Sequence, residues 1–319
     1  MKALITGVTG FVGPYLTRSF ADAGIACVGL GRDEKSMPPV AEYIDCDIRD
    51  FAALKNVVAS EKPDFIVHLA AITSVPFSFQ NPGLTYAVNV EGTVSLFEAV
   101  RELGISPRIL NVSSAHVYGT ANAEAGPFSE KSSLHPESPY ASSKAAAELI
   151  ANDYARSYGM NILQVRAFNH TGPGQSDSFV VSHFARQIAA IELGLQEPVM
   201  RVGNLHPKRD FSDVRDVTAA YVSVLREGRA GETYNVCSGV LRPVQEILDV
   251  LIDISKCKIE VKVDSTLTRK IEVLELGGDP QKLLAVTSWK PRISLRTTLE
   301  DLLSYWKKRL ADERNSAGT

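Results

Sequence analysis

A tyrosine and a lysine at helical spacing form the most reactive pair that the sequence offers. Tyr140 and Lys144 lie in a predicted helix, one turn apart, so both side chains point to the same face. An ammonium group at that distance lowers the pKa of a phenol, which lets tyrosine exchange a proton with a substrate oxygen near neutral pH. Ser114 ends the preceding predicted strand and adds a hydroxyl at the carboxyl edge of a sheet. Doubly wound α/β proteins bind ligands at that edge, so these three residues form the candidate catalytic group.

A glycine-rich turn near the N-terminus indicates a second kind of chemistry, the binding of a pyrophosphate. Gly7, Gly10 and Gly13 follow the apolar run Lys2 to Thr6 at regular spacing, and a helical pattern comes next. Glycines at such a junction let the chain turn tightly, and the amide groups and dipole of the helix N-terminus stabilise a phosphate. The motif therefore predicts a dinucleotide site.

The residues at the end of the second predicted strand indicate which dinucleotide binds. The sequence there reads Leu30, Gly31, Arg32 and Asp33. An acidic residue at the strand end would bind the 2′-hydroxyl of the adenosine ribose, whereas glycine followed by arginine leaves room for a 2′-phosphate and supplies a counter-charge. We therefore favour NADP(H). Asp33 keeps NAD(H) open, and a solvated loop arginine is the alternative without a cofactor contact.

The elements that must position these residues alternate along the first two-thirds of the chain. Mostly apolar strands are predicted at Lys2 to Thr6, Ala26 to Leu30, Phe65 to Leu69, Arg108 to Val112 and Asn161 to Arg166. Helices are predicted between them at Pro14 to Ala23, Asp50 to Glu61, Leu84 to Leu103 and Pro139 to Tyr158. The predicted fold class is α/β, a doubly wound parallel sheet of the Rossmann type with helices on both faces.

The chain after Asn169 predicts a smaller, discontinuous C-terminal lobe. The elements predicted over this part of the chain are helices at Phe179 to Leu193, Val214 to Glu227 and Val244 to Ser255, strands at Thr233 to Val236 and Ile259 to Val263, and amphipathic runs at Pro280 to Val286 and Leu295 to Leu310. We predict a dinucleotide-binding domain over residues 1–168, to which 210–238 returns. Residues 169–209 and 239–319 are predicted to form the lobe that binds the substrate.

Composition excludes several classes of function. The chain has 319 residues, of which 45% are hydrophobic and 22% charged, with a formal net charge of -3. These values are ordinary for a folded soluble protein and give no support to nucleic-acid binding. No apolar run is long enough to span a bilayer. The four cysteines lie far apart and the histidines share no metal spacing, so we expect a reducing, cytoplasmic location and no metal.

The motifs resemble the extended short-chain dehydrogenase/reductase family, in particular its nucleotide-sugar epimerases, dehydratases and reductases. The resemblance covers nearly the whole chain and is carried by the three glycines, the run His68-Leu69-Ala70-Ala71, Asn89, Ser114 and Tyr140-x-x-x-Lys144. It implies that Ser114 polarises the C4 oxygen of a sugar, that Tyr140 handles its proton, and that Lys144 also holds the nicotinamide ribose. The cofactor contacts that it implies are Gly7, Thr9, Gly10, Phe11, Val12, Gly13, Arg32, Asp47, Ile48, Leu69, Ala70, Ala71, Asn89, Tyr140, Lys144 and Phe168.

Segments of the second lobe resemble the branch of this family that acts on GDP-sugars. They are Arg166 to Gln175, Val202 to Phe211, and Arg269 with Glu272. The resemblance implies that Asn169 holds the substrate, Arg209 its pyrophosphate, and Arg269 with Glu272 its guanosine portion. A diphosphate needs cations, which agrees with the arginines. The implied substrate contacts are Ser74, Ser114, His116, Asn169, Val180, Arg186, Val202, Asn204, Arg209, Arg269 and Glu272.

One position separates the chemistries within this family. The 4,6-dehydratases of GDP-mannose have a glutamate two residues beyond the catalytic threonine or serine, which takes the C5 proton, and this chain has His116 there. A ketone reductase needs no base at C5. Because histidine can act as a base, the substitution lowers the dehydratase alternative without removing it. A role of His116 in the pocket wall is the other interpretation.

The resemblance thus implies an oxidoreductase that uses NADP(H), or NAD(H), to reduce the C4 ketone of GDP-4-keto-6-deoxy-D-mannose to GDP-D-rhamnose. A GDP-mannose 4,6-dehydratase, an NAD-dependent C4 epimerase of nucleotide sugars and a cofactor-sensing binding protein stay open as alternatives. The expected ligand is a GDP-linked deoxy-keto sugar, with no nucleic acid and no membrane as partner. Family members commonly pair through two helices such as those predicted at Leu84 to Leu103 and Pro139 to Tyr158, so we expect a homodimer.

Overall fold

The computed structural model describes residues 1–32, 42–120, 126–264, 266 and 273–317. The strands are, in chain order, β1 (Lys2–Thr6), β2 (Ala26–Gly31), β3 (Glu42–Asp45), β4 (Phe65–His68), β5 (Arg108–Ser114), β6 (Ile162–Ala167), β7 (Asn169–Thr171), β8 (Val199–Val202), β9 (Lys208–Asp213), β10 (Thr233–Val236), β11 (Leu241–Pro243), β12 (Glu260–Val263) and β13 (Glu275–Leu276).

The helices are α1 (Gly13–Asp22), α2 (Phe51–Glu61), α3 (Val75–Gln80), α4 (Pro82–Tyr86), α5 (Gly92–Glu102), α6 (Pro139–Tyr158), α7 (Val180–Glu192), α8 (Val214–Glu227), α9 (Val244–Ser255), α10 (Gln281–Val286) and α11 (Leu295–Ala317). A π-helical turn, Ala87–Glu91, joins α4 to α5, and a 3₁₀ turn, Ala115–Tyr118, follows β5.

Seven parallel strands form the main sheet in the order β10-β6-β5-β4-β1-β2-β3. The chain starts in the middle at β1, moves outward to β3, and then crosses to β4 and proceeds to the opposite edge. This topology confirms the predicted doubly wound fold. The direction of the strand order reverses between β1 and β4, and a crevice for a ligand opens at the carboxyl ends of such strands.

Helix α6, which carries Tyr140 and Lys144, has the predicted bounds because both of its ends are specified locally. The Ser138 hydroxyl oxygen accepts from the amide of Ala141 at 3.1 Å, and Pro139 occupies the first turn, where its missing N–H costs nothing. Gly159 ends the helix with a φ of 65°. The first two turns are fixed against the sheet, since Tyr140, Lys144 and Glu148 are buried.

Two smaller sheets lie outside the main one. Strand β9 pairs with β7, β11 and β13, and β8 pairs with β12. The sequence did not predict β9, because its polar run Lys-Arg-Asp-Phe-Ser-Asp lacks the pattern of a buried strand. Its Asp210 is fully buried and satisfied by the amides of Ser238 and Gly239, both at 2.8 Å. These tertiary hydrogen bonds, together with the pairing to β7, β11 and β13, stabilise the strand in its place.

The predicted division into lobes stays a prediction, and the sheets support its main feature. Strand β10 joins the large sheet while α7, α9 and α11 share a separate apolar core with Phe184, Leu251 and Trp306. Two residues depart from this division. Leu283 and Trp289 lie within residues 239–319, which were predicted to form the smaller lobe, but they pack into the core of the large sheet.

Candidate active site

A cleft of about 860 Å³ runs along the carboxyl ends of β1, β2, β4, β5 and β6 and continues into the smaller lobe. Its size is typical of a site for small molecules. The cleft contains residues of the glycine-rich turn at one end and of the loop before β9 at the other. Ser114, Tyr140 and Lys144 line it between these two ends.

Ser114 and Tyr140 are in contact at the floor of the cleft. Their side chains share a hydrogen bond, and the backbone N–H of His116 donates to Ser114 Oγ at 3.2 Å. Both residues are buried. Burial raises the pKa of Tyr140, and the hydrogen bond from Ser114 acts in the opposite direction by favouring the phenolate. The pair can therefore present a proton to a ligand oxygen in surroundings with little water.

Lys144 is buried beside this pair. Its Nζ donates to the carbonyl oxygen of Val112 on β5 at 2.8 Å. Burial lowers the pKa of Lys144 to about 8, and the nearby carboxylate of Glu148 works against that decrease. The ammonium group thus loses its proton at a much lower pH than an exposed lysine. The predicted effect of Lys144 on the pKa of Tyr140 stays a prediction.

The glycine-rich turn fits a dinucleotide. Gly7 has a φ of 72°, and a Cβ atom there would lie 2.7 Å from the backbone of Ala70. At Gly13 a Cβ would lie 1.8 Å from the carbonyl oxygen of Val8, so α1 packs against the turn as only glycine allows. The side chain of Val12, the N-cap residue, makes no hydrogen bond to the helix N-terminus, and the first turn of α1 contains no acidic residue. This helix N-terminus suits an anionic pyrophosphate.

Polar side chains beneath the turn form a directional chain through His68. Burial lowers the pKa of His68 to about 3, so the imidazole is neutral. The Thr93 hydroxyl donates to the carbonyl of Asn89 at 2.7 Å and hence accepts from His68 Nε2, at 3.0 Å. Nδ1 then accepts from the Thr6 hydroxyl at 2.8 Å, and the oxygen of Thr6 accepts from the amide of Ala70 at 3.2 Å. This arrangement fixes the turn and the neighbouring strand end.

Asn89 continues this chain to α6, the helix that carries Tyr140 and Lys144. Its amide side chain pairs with the backbone of Ile72 at 2.7 and 3.0 Å and donates to Ser143 Oγ at 2.8 Å. The Ser143 hydroxyl donates in turn to the carbonyl oxygen of Tyr140 at 2.7 Å. Asn89 is buried and does not line the cleft. Asn89 thus holds the backbone of Ile72 and, through Ser143, that of Tyr140, both of which line the cleft.

The end of the cleft beside β2 and β3 contains a cluster of two arginines and one carboxylate. Asp47 pairs with Arg49 at 2.6 Å and with Arg32 at 3.4 Å. The hydrogen bonds from Arg49 lower the pKa of Asp47 to about 2. Arg32 is mostly exposed at the rim, where a phosphate could reach it. Asp33, on which the NAD(H) alternative rested, lies outside the described residues.

The structure brings most of the predicted contacts to one cleft. All of the predicted cofactor contacts line the cleft except Gly13 and Asn89. The predicted substrate contacts that line it are Ser74, Ser114, His116, Asn169, Val180, Val202, Asn204 and Arg209. Asn169 Oδ1 is buried and has no hydrogen-bond partner among the described residues, which is typical of a group that awaits a ligand. Arg269 and Glu272 lie outside the described residues.

Arg186 is not among the residues that line the cleft, although its partner Asp177 is. Its guanidinium pairs with Asp177 at 3.3 Å and lies over the ring of Trp306 at 5.8 Å. Val180 lines the cleft from the same helix, α7. Arg186 is six residues further on, about 240° around the helix, so its side chain leaves α7 in a different direction from that of Val180. The predicted role of Arg186 as a substrate contact gains no support from its position.

Sequence reasoning missed His170 and His183, which also line the cleft. The His170 ring stacks parallel to that of Phe11 with centroids 6.0 Å apart, and its Nδ1 donates to the carbonyl oxygen of Phe168 at 3.0 Å. Burial lowers the pKa of His170. His183 lies one helical turn beyond Val180. That spacing would have identified His183 as a residue of the cleft. The position of His170 directly after Asn169 would have identified His170.

Comparison with known proteins identifies the family. The sequence profile of the family described as GDP-mannose 4,6 dehydratase matches residues 4–302. The chain belongs to this family. Membership in the GDP-mannose 4,6 dehydratase family confirms the nucleotide-sugar resemblance of the motifs, and it includes proteins with different reactions, as the relatives below show.

Three similar proteins span nearly the whole chain. GDP-6-deoxy-D-mannose reductase of Pseudomonas aeruginosa is 37% identical over 98% of this chain and 99% of its own. GDP-6-deoxy-D-talose 4-dehydrogenase of Aggregatibacter actinomycetemcomitans is 32% identical over 98% of this chain and 99% of its own. The solved structure of RMD from P. aeruginosa, complexed with NADPH, has a TM-score of 0.87 at 37% identity and covers 97% of this chain and 99% of that one.

Within the described part of the chain, no group of three histidine, cysteine or acidic side chains is placed to hold a metal ion. None of the described helices is long and apolar enough to cross a membrane.

Proposed function

We propose that this protein reduces the C4 ketone of GDP-4-keto-6-deoxy-D-mannose with NADPH and forms GDP-D-rhamnose. The observation that carries the proposal is the buried hydrogen bond between Ser114 and Tyr140 in the middle of a cleft that joins the glycine-rich turn to Arg209. A cofactor at one end and a nucleotide diphosphate at the other would meet at this pair. The similarity to GDP-6-deoxy-D-mannose reductase supports the same reaction.

The residues of the chain account for the proton in this reaction. NADPH, when bound, supplies the hydride that adds to C4. Tyr140 donates its hydroxyl proton to the C4 oxygen, so the ketone gains one hydride and one proton and becomes an alcohol. Ser114 hydrogen-bonds the Tyr140 hydroxyl, and the charge of Lys144 favours the phenolate that remains. Because Tyr140 is only 7% exposed, bulk water has little access to the proton transfer.

The two ends of the cleft supply charge for two anionic ligands. We assign the glycine-rich turn and Arg32 to the binding of NADPH, with Arg32 facing the 2′-phosphate. Because NAD(H) lacks this phosphate, it is the cofactor that binds more weakly in this proposal. Arg209 is assigned to the diphosphate of the substrate. Its guanidinium is held at the rim by the carbonyl oxygens of Lys208 and Leu274, at 2.8 and 3.3 Å. Asn169, with its unpartnered Oδ1, is assigned to the sugar.

One residue keeps a second candidate open, the 4,6-dehydration of GDP-mannose. His116 occupies the position of the dehydratase base, and its ring lies edge-on to that of Tyr140 with centroids 5.9 Å apart. A dehydratase regenerates its bound nicotinamide in every turnover, whereas the reductase consumes NADPH. The balance of NADPH against product therefore distinguishes the two.

A homodimer and a cytoplasmic location belong to the proposal. Helices α3 and α4 pack against α6, and this region leaves Phe79 on α3 and Leu149 on α6 more than half exposed. An apolar face of this kind suits a second copy of the chain. The four cysteines are free, which fits a reducing compartment.

Replacement of the proton donor tests the proposal. Tyr140→Phe removes one hydroxyl and leaves the ring in place, so we expect kcat for ketone reduction to fall about 100-fold or more. NADPH binding, followed by the fluorescence of the bound nucleotide, is expected to persist. Tyr158→Phe, at the exposed end of the same helix, is the matched control and should keep wild-type activity. A Tyr140→Phe variant with full activity would contradict the proposed role.

A further inference from the structure

A buried carboxylate lies on the catalytic face of α6 and takes no part in the reaction described above. Glu148 follows Lys144 by four residues, as Lys144 follows Tyr140, so the three side chains form one row along the helix. Glu148 is 1% exposed. A carboxylate at such a depth needs partners, and the identity of its partners indicates its function.

The partners of Glu148 belong to the strands that carry the site. Its carboxylate accepts from the hydroxyl of Ser113, the residue before Ser114. It also accepts from the guanidinium of Arg166 on β6, at 2.7 and 3.1 Å. Arg166 donates in turn to the hydroxyl of Tyr118 at 3.0 Å, and Tyr118 lies in the 3₁₀ turn directly after Ser114. One carboxylate thus ties the helix of Tyr140 to both chain segments that flank Ser114.

Glu148 is also the source of negative charge beside Lys144. The titratable groups that face Lys144 from the surrounding elements are Tyr140 and Glu148 on α6 and His68 on β4. Both Tyr140 and His68 are uncharged at neutral pH, because burial raises the pKa of the first and lowers that of the second. Arg166, the other charge nearby, is paired with Glu148 itself. The carboxylate therefore opposes the loss of the proton from Lys144.

We propose that Glu148 is a positioning residue of this site, which holds Ser114 against Tyr140 and keeps a negative charge next to Lys144. The inference rests on the proposed reduction for its purpose, since that reaction needs a proton donor in place and a cation beside it. Its two parts make separate predictions, one for the protonation of Lys144 and one for the rate of turnover.

The charge is tested in the protein without ligands, by NMR titration of lysines labelled with ¹³C at Cε. The signal of Lys144 is assigned by its loss in Lys144→Arg. In Glu148→Gln we expect the midpoint of this signal to move to lower pH by about one unit or more. Asp153→Asn, which removes an exposed carboxylate from the same helix, is the matched control and should leave the midpoint in place. An unchanged midpoint in Glu148→Gln would overturn the inference.

A second variant guards against loss of the fold, because Glu148→Gln leaves the buried Arg166 without its carboxylate. The double variant Glu148→Gln with Arg166→Gln removes both charges together. If the single variant does not fold, the double variant is titrated under the same criterion, and a midpoint like that of the wild type again overturns the inference.

The positional part is tested by Ser113→Ala, which removes one link to the strand and leaves the charge of Glu148 intact. We expect kcat to fall several-fold at constant pH, with the midpoint of Lys144 unchanged and the KM for NADPH unaltered. Wild-type kcat in this variant would refute the positional part. A wild-type protein without any reductase activity would refute the proposed function instead, while the titration, which needs no turnover, would still decide whether Glu148 acts on Lys144.

Discussion

Burial acts on three side chains beside the cleft and gives each a different protonation state. It raises the pKa of Tyr140, lowers that of Lys144 to about 8, and lowers that of His68 to about 3. The common cause is the loss of hydration by the charged form. At neutral pH the site therefore contains a phenol that can donate a proton, a lysine close to its titration point, and a histidine that serves only as a hydrogen-bonding link.

The lowered pKa of Lys144 predicts a pH dependence of the reduction. Lys144 carries its charge below about pH 8 and loses it as the pH rises through that value. The charge stabilises the phenolate formed by proton transfer, so kcat/KM for ketone reduction should decrease on the basic side of that pH. A profile of kcat/KM reports groups of the free enzyme and is the measurement required. A profile that stays level well beyond pH 9, on the order of one unit above this pKa, would contradict the assignment.

The convergence of Ser114, Tyr140 and Lys144 on one cleft was predictable, because local spacing specifies their positions. Tyr140 and Lys144 are related by one helical turn, and Ser114 follows from the end of a strand. The position of the Arg186 side chain outside the lining of the cleft was not predictable, because it depends on the rotation of α7 about its axis, which tertiary packing sets. The charge pair of Glu148 and Arg166 involves residues far apart in the sequence, on α6 and β6, so no local pattern indicates it.

At the scale of elements, the turn between β1 and α1 is the tightest junction at the cleft. Gly13 lies so close to Val8 that a methyl group has no space. Strands and helices with clear caps and periods, such as β1 and α6, follow from the sequence without change. Strands β7, β9 and β13 do not, because β7 and β13 are short and β9 is polar, and their stability comes from pairing with one another.

Gly13→Ala tests this junction. The added Cβ would meet the carbonyl oxygen of Val8 at 1.8 Å, so α1 must move away from the turn. We expect a loss of about 1–3 kcal/mol in the free energy of unfolding. NADPH binding should weaken as well, since the helix N-terminus shifts. Chemical denaturation and a binding titration measure the two effects.

Gly83→Ala is the matched control for this substitution. A Cβ at Gly83 meets nothing within 4 Å, and the residue lies in α4 rather than at the cleft. We expect its stability to equal or slightly exceed that of the wild type. Equal behaviour of the two variants would show that the close approach at Gly13 does not constrain the turn.

At the scale of the whole molecule, the mild net charge of -3 gives little general attraction for two anionic ligands. Their binding must therefore come from placed groups, which the fold brings to opposite ends of one cleft. The proposed dimer face on α3, α4 and α6 includes the helix that carries Tyr140 and Lys144.

Leu149→Glu tests the proposed dimer. Leu149 is 60% exposed, and a charge at its position would oppose burial against a second copy. We expect the wild type to sediment with about twice the chain mass of 34.7 kDa and the variant to sediment as a single chain. Leu195→Glu, in the other lobe and 45% exposed, should leave the mass unchanged. A wild type that sediments as a single chain at micromolar concentration would contradict the dimer.

The most direct test of the proposed function follows NADPH and product together. Purified protein, NADPH and GDP-4-keto-6-deoxy-D-mannose are mixed, the absorbance of NADPH is recorded, and the sugar nucleotide is analysed by NMR. The proposal predicts that one NADPH is consumed for each ketone and that the product is GDP-D-rhamnose. Substrate that binds without any loss of NADPH, or product that forms while NADPH stays constant, would contradict it.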